Sequence, residues 1–393
     1  MSIKTLSIYT FRNLTEVHLT LSPFFNLIAG ENGAGKSSIL ESIYFLSHGR
    51  SFRGHVLEPL IQFNQQKTIL QALITTDTEN EVSLGVMKSL VEDGQIKIGG
   101  ELCRSAAELA VLLPVQLLNA DSFDLLNGGP AFRRQWIDWG LFHVEPSYGE
   151  LWRQYNRVLK QRNAALKRED GAIVRCWDEE LAQIGEKMAL QRAHYIEQIM
   201  PLCSDIFSRF CDFSFYFQYE RGWNADKPLL GALQSGLARD QHLGFTSTGP
   251  HRAELRLTIE DKPVQTILSR GQQKWLIYSL KLAQGLLLKQ QTGKSCVYLL
   301  DDVPAEWDDQ RQKTLIAILQ DMASQVLITG IDLSYLQELT ADFPTKMFHV
   351  ERGMVSDEYN CAEKIKKQSA TVTGRQHATE AEGSRHAHDV EIT

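Results

Sequence analysis

The sequence predicts an α/β fold: a mixed, largely parallel sheet, N-terminal antiparallel strands ahead of it, and a second, helical lobe. Three observations predict it. Short apolar runs at residues 24–29, 296–300 and 325–329 have the length and composition of fully buried strands. A glycine-rich stretch follows the first run at once and opens a helical repeat. In the centre of the chain apolar residues recur every three or four positions instead of every two.

The elements follow in order. Ile3, Leu6 and Ile8, the turn-like Phe11-Arg12-Asn13, and then Val17, Leu19 and Leu21 read as a hairpin. After the glycine stretch, Ile39, Ile43 and Leu46 share one helical face. Residues 68–98 read as short strands broken by turns such as Glu92-Asp93-Gly94. Leu151, Tyr155, Val158, Leu159, Ala165 and Leu166 mark one helix, and a second runs from Trp177 to about Met200, ended by Pro201. Sustained heptads are missing, so the pair predicts a compact helical lobe and not a long coiled coil. Alternating strands return from about Gly244, followed by a helix from Gln272 to Lys289. Residues 1–120 and 242–357 are thus expected in one α/β lobe and 121–241 in a mainly helical one. Residues 358–393 are polar and almost free of large apolar side chains, which predicts a disordered tail. Its His377, His386 and His388 read as solvated histidines rather than metal ligands.

Composition narrows the class. The 393 residues exceed one simple core. The N-terminus has no apolar signal core, and the longest apolar run, 108–118, is broken by Pro114 and Gln116. Secretion and membrane spanning are not supported, and a cytoplasmic protein is expected. Six scattered cysteines without a Cys-x-x-Cys pair read as reduced thiols. The net charge of −7 confines any nucleic-acid contact to a local patch.

Three motifs carry chemistry. Gly30-Glu31-Asn32-Gly33-Ala34-Gly35-Lys36-Ser37, with Ser38 next, is a P-loop in the strand–loop–helix setting that the chemistry needs. Its glycines let backbone N–H groups face a phosphate, the helix start adds its dipole, and Lys36 reaches the terminal phosphates. The Ser37 hydroxyl is the expected ligand of Mg2+. ATP and Mg2+ are the expected cofactors. Asp301-Asp302 ends the apolar strand at 297–300. Asp301 suits the magnesium-bound water and Asp302 the attacking water, although two aspartates after a strand also serve as a turn or helix cap. Leu268-Ser269-Arg270-Gly271-Gln272-Gln273-Lys274 precedes a long helix. Ser269 reads as that helix's cap, or, with Gly271, as the group that binds a γ-phosphate held by a second subunit.

Together these residues resemble the RecF family of recombination mediators, in the SMC-like branch of the ABC ATPases. The likeness extends to about Asp357. It includes Phe11-Arg12-Asn13, Gly49-Arg50-Ser51-Phe52-Arg53, Leu125-Leu126-Asn127-Gly128-Gly129-Pro130 with Arg133-Arg134, Lys160-Gln161-Arg162-Asn163-Ala164-Ala165-Leu166 and Gly249-Pro250-His251-Arg252. The resemblance implies an ABC-type ATPase head and ATP-dependent homodimerisation with two nucleotides buried between subunits. It also implies binding to single-stranded and gapped double-stranded DNA, RecR and RecO partners, recombinase loading and a part in the SOS response. It makes Gln116 a lid glutamine sensing magnesium and γ-phosphate, and Arg12 a phosphate neighbour. Two departures imply slow, DNA-dependent hydrolysis. Asp302 stands where many ABC ATPases have glutamate, and Thr329-Gly330 stands where a switch histidine is expected. Ala305-Glu306-Trp307-Asp308 replaces a Ser-Glu-Leu-Asp run, altering a subunit contact.

For DNA, Arg153, Arg157 and Lys160 fall on one helical stripe, with Arg162, Lys167 and Arg168 nearby, and Arg133-Arg134 form another basic spot. A solvated helix face is the competing reading of the stripe. Against a transporter subunit stands the long separation between P-loop and signature. Against a nuclease fusion stands the lack of a separate carboxylate-rich domain. A non-hydrolysing nucleotide-binding scaffold remains the alternative.

Overall fold

The computed structural model describes residues 1–54, 56–103, 106–168, 171–302 and 309–357. The polar tail with its histidines and Cys361, and the run Ala305-Glu306-Trp307-Asp308, lie outside the described residues.

The three apolar runs form adjacent strands of one six-stranded sheet. Its order is Met354–Asp357, Thr345–Glu351, Phe25–Gly30, Val326–Gly330, Val297–Leu300 and Val115–Leu118. All pairings are parallel except that of the edge strand Met354–Asp357. Successive side chains of a strand face opposite sides, and here they enter two different cores. Leu27, Tyr298, Leu300 and Ile328 join one apolar cluster, while Ile28, Val297, Leu299 and Leu327 join the other. Burial on both faces explains why these strands read as continuous apolar runs rather than alternating ones.

The second of those cores is closed by the helix Lys36–His48 and by an antiparallel sheet. That sheet runs Leu14–Thr20, Ser2–Phe11, Lys67–Thr75, Glu81–Ser89, Gln95–Ile98 and Glu101–Cys103. The hairpin expected at the N-terminus is its first pair, with Ile8 opposite Val17. Gln325, fully buried, stitches the two sheets together. Its Nε2 donates to the carbonyls of Ile3 (2.8 Å) and Ser22 (2.7 Å), and its Oε1 accepts from the Ile3 N–H at 2.7 Å.

The first core continues under the helix Arg270–Thr292 into a helical region. There Pro130–Val144, Tyr148–Lys167 and Gly171–Ser208 pack together, with a three-stranded sheet of Lys262–Pro263, Glu254–Ile259 and Tyr216–Glu220 beside them. The sequence ended the last of these helices at Pro201, but the helix continues through it to Ser208. Ile199, Cys203, Ile206 and Phe207 are all buried on one face. Their packing outweighs the hydrogen bond that an exposed proline removes.

Candidate functional site

The P-loop is built between the buried strand Phe25–Gly30 and the helix Lys36–His48. Gly30 leaves the strand at φ 158°, and a Cβ there would meet the Val350 carbonyl at 2.3 Å. Gly35, the helix N-cap residue, has φ 123°. Both positions therefore require glycine. The loop is braced by Asn13 from the N-terminal hairpin. Asn13 Nδ2 donates to the Ala34 carbonyl at 3.0 Å, and its Oδ1 accepts from Ser38 Oγ at 3.0 Å. Lys36 is 6 % exposed and its Nζ donates to the Gly30 and Glu31 carbonyls at 2.8 and 2.9 Å. Burial pushes its ammonium below the ordinary lysine range, while Asp302 and Asp301 pull it back up. The acidic pair thus lies within electrostatic reach of the phosphate-loop lysine.

The strand Val297–Leu300 delivers that pair at the same end of the sheet. The Asp301 N–H donates to the Leu118 carbonyl at 3.0 Å. Thr329 Oγ1, wholly buried, lies 2.9 Å from Asp301 Oδ1, to which it donates, and accepts the Asp302 N–H at 2.8 Å. One hydroxyl orders both aspartates. Asp302 sits at φ 55°, in the left-handed region, a conformation that costs a non-glycine residue about 1–2 kcal/mol.

Asn32, Gly33, Gly35, Lys36, Ser37, Ser38, Asp301 and Asp302 line one open cleft of about 1120 Å³. Gly30, Glu31 and Ala34 do not line it: the Gly30 and Glu31 carbonyls accept from Lys36, and Ala34 packs into the core. The Ser37 hydroxyl and the Asp301 carboxylate are hard oxygen donors, the kind a Mg2+ ion takes alongside phosphate oxygens and water. Arg12 also lines the cleft. Its guanidinium is held by the fully buried Glu41, at 3.0 and 2.6 Å, and by the Pro59 carbonyl at 2.9 Å.

Ser269 and Gly271 are exposed and do not line this cleft. Ser269 forms a capping box with Gln272: its Oγ accepts the Gln272 N–H at 3.3 Å, and Gln272 Oε1 accepts the Ser269 N–H at 2.9 Å. A Cβ built on Gly271 meets nothing within 4 Å. One turn on, Lys274 does line the cleft.

The RecF/RecN/SMC N terminal domain family matches residues 2–356. The DNA replication and repair protein RecF of Erwinia tasmaniensis is 40% identical over 358 residues, which are 91% of this chain and 99% of that protein. The chain belongs to the RecF family. The solved structure of the recombination mediator protein RecF with ATP, in the RecFOR pathway, superposes with a TM-score of 0.81 at 26% identity, covering 91% of this chain and 97% of that one. An Smc head bound to the C-terminal winged-helix domain of ScpA, 17% identical with a TM-score of 0.58 and covering 91% of this chain and 97% of that one, shares the fold.

Within the RecF family fold, several residues named from sequence have other work. Gln116 is a satisfied buried amide, 5 % exposed, donating to Gln284 Oε1 at 3.0 Å. It does not line the phosphate cleft, because its side chain leaves the strand toward the core. The residue that the sheet edge does offer is Asn119, which caps the turn Ala120–Phe123 and lines the cleft. Arg133 is tied to Glu254 at 2.7 and 2.9 Å and to the Gly128 carbonyl at 2.9 Å. Arg134 is partly buried and donates to the Ala253 carbonyl at 2.8 Å. These two side chains are struts inside the fold rather than an open basic spot. Arg162 is wholly buried between Asp178 (2.8 Å) and Asp240 (2.7 Å), so it is no part of a surface stripe. Arg153, Arg157, Lys160, Lys167 and Arg168 are exposed, with Arg153 paired to Glu150 at 2.7 Å.

Asn13, Glu41 and Thr329 were not found from sequence as site residues. Each acts through a partner 20 to 30 positions away or more, and no local spacing marks it.

Proposed function

We propose that this chain is an ATP-dependent, DNA-binding recombination mediator of DNA repair and replication. ATP binding drives homodimerisation on single-stranded or gapped DNA, and slow, DNA-dependent hydrolysis releases it. The related RecF structure with ATP supports ATP as the nucleotide, and its RecFOR setting supports RecR- and RecO-type partners; recombinase loading, a part in the SOS response and a cytoplasmic location complete the same reading. In this reading residues 1–120 and 242–357 act as the ATPase lobe and 121–241 as the helical lobe, with the strand Glu254–Ile259 pairing across that boundary to Tyr216–Glu220. Lys36 and the P-loop amides grip the phosphates. Ser37 and Asp301 hold Mg2+, which neutralises phosphate charge, and Asp302 orients water.

One observation carries the proposal. The cleft holds the phosphate loop and both aspartates, yet Ser269 and Gly271 face solvent elsewhere on the same chain. Nothing in the chain's own packing requires glycine at 271, although glycine weakens a helix by up to about 1 kcal/mol. An exposed helix start, whose Arg270 and Gly271 N–H groups lie outside the capping box, fits a γ-phosphate brought by a second subunit. Arg153, Arg157 and Lys160 are the proposed phosphate contacts for DNA; Arg133 and Arg134 would reach DNA only by leaving their internal partners.

The test is ATP-dependent dimerisation, measured by light scattering, for wild type, Lys36→Arg and Ser269→Arg. Both variants are expected to stay monomeric with ATP. A Ser269→Arg protein that dimerises normally would sink the two-subunit site. ATP-driven dimers with no turnover under any DNA condition would favour the non-hydrolysing scaffold.

A further inference from the structure

We propose that Phe63 is the stacking platform for the base of the nucleoside triphosphate in this cleft. The inference rests on the nucleotide reading above and assigns the end of the site that the phosphate machinery leaves open. Phe63 is 88 % exposed, the most exposed of the large apolar side chains among the described residues, and it lines the same cleft as Lys36. Leu90, 49 % exposed, lines the cleft too. The cleft lining therefore combines lysine and aspartates with a bare ring and an aliphatic side chain. A nucleoside triphosphate has the matching combination, a charged tail and a flat head with apolar faces.

The ring is presented by a braced turn. The Gln62 N–H donates to the Thr10 carbonyl (2.9 Å), the Arg12 N–H to the Leu60 carbonyl (2.8 Å) and the Leu90 N–H to the Gln66 carbonyl (2.9 Å). Gln62 Nε2 donates to Thr15 Oγ1 at 2.8 Å, and Asn64 holds φ 63°. Residues 10–15 are the hairpin end whose Asn13 grips the P-loop. A chain of hydrogen bonds thus ties the turn that carries Phe63 to the hairpin end that braces the phosphate loop. Such rigidity has no use in a surface loop whose ring meets only water, but it pre-organises a stacking partner. Asn64 and Gln65 on the same turn line the cleft as well, and their side-chain amides are the kind of donor and acceptor a base edge takes.

The experiment measures Kd for ATP and for inorganic tripolyphosphate, by calorimetry with Mg2+, on the full chain and its variants. Phe63→Ala should weaken ATP on the order of tenfold and leave tripolyphosphate within about twofold. Phe63→Trp should restore ATP affinity, and its fluorescence should respond to ATP but not to tripolyphosphate. ATP affinity unchanged in Phe63→Ala, or equal losses for both ligands, would overturn the assignment. Tripolyphosphate binding that Lys36→Ala abolishes would still uphold the phosphate site in that case. A wild-type chain that binds neither ligand would overturn both.

Discussion

Asp302 and Thr329 show how a single hydroxyl sets the geometry of an acidic pair. Asp302 occupies a left-handed backbone position, and such strain persists only where neighbours over-determine it. Thr329 supplies that determination by accepting the Asp302 N–H and donating to Asp301. It stands where a switch histidine was expected, and a threonine there cannot titrate as an imidazole does. Thr329→Val keeps the shape but leaves a backbone N–H without its partner, which should cost about 1–3 kcal/mol of stability. ATP binding through Lys36 should survive while turnover falls on the order of tenfold. Thr329→Ser should retain turnover. Equal turnover in the valine variant, measured by phosphate release, would remove Thr329 as a positioning residue.

At the scale of elements, the loop Gly249-Pro250-His251-Arg252 is pinned from below by two long helices. Arg192 donates to the Pro250 carbonyl at 2.7 Å, and Tyr155 OH lies 2.7 Å from His251 Nδ1. His251 Nε2 faces the Thr246 carbonyl at 3.0 Å. A carbonyl only accepts, so Nε2 carries the proton and Nδ1 accepts from Tyr155. Burial, with Arg252 and Arg134 adding to it against Thr246 and Asp240, lowers the His251 pKa to about 4. The unfolded imidazole titrates near 6.5. Between these values the unfolded chain binds the proton and the folded chain does not, so stability falls as pH falls from about 6.5 toward 4. His48, also lowered to about 4, acts in the same direction. Melting temperatures should drop between pH 7 and pH 5, with a shallower slope in His251→Asn; a flat profile in wild type would contradict this. The sequence marked this loop as a motif without revealing its anchors, because Tyr155 and Arg192 lie about 60 to 100 positions away. The same physics divides the other readings. Gly30, Lys36 and the Ser269 cap were legible because their chemistry is local, within a few residues of one helix start. Arg133 and Arg162 were misread as surface charges because a guanidinium looks alike in sequence whether it meets water or Glu254 and Asp178. Pro201 was read as a helix end because buried packing at Cys203 and Phe207 is invisible to local propensity.

At the scale of the molecule, the net charge of −7 confines any DNA contact to a local basic patch, and the exposed face of the helix Tyr148–Lys167 is the proposed one. Tyr155, Val158 and Arg162 fill its inner face, leaving Arg157 and Lys160 outward. If both neutralise duplex phosphates, Arg157→Glu with Lys160→Glu should make the negative slope of log affinity against log salt shallower by about 1.8. Fluorescence anisotropy across a salt series checks this, and an unchanged slope would move the DNA surface elsewhere. The sheet order has a consequence for synthesis. The strand that carries the P-loop, Phe25–Gly30, pairs on one side with Val326–Gly330 and on the other with Thr345–Glu351. It leaves the ribosome early but must wait some 300 residues for both neighbours, and contacts so distant in sequence form late. A stalled or truncated chain therefore carries the whole phosphate-binding motif with no sheet to hold it. A chain truncated before residue 326 should therefore bind ATP more weakly than the full chain, because its phosphate loop lacks both flanking strands.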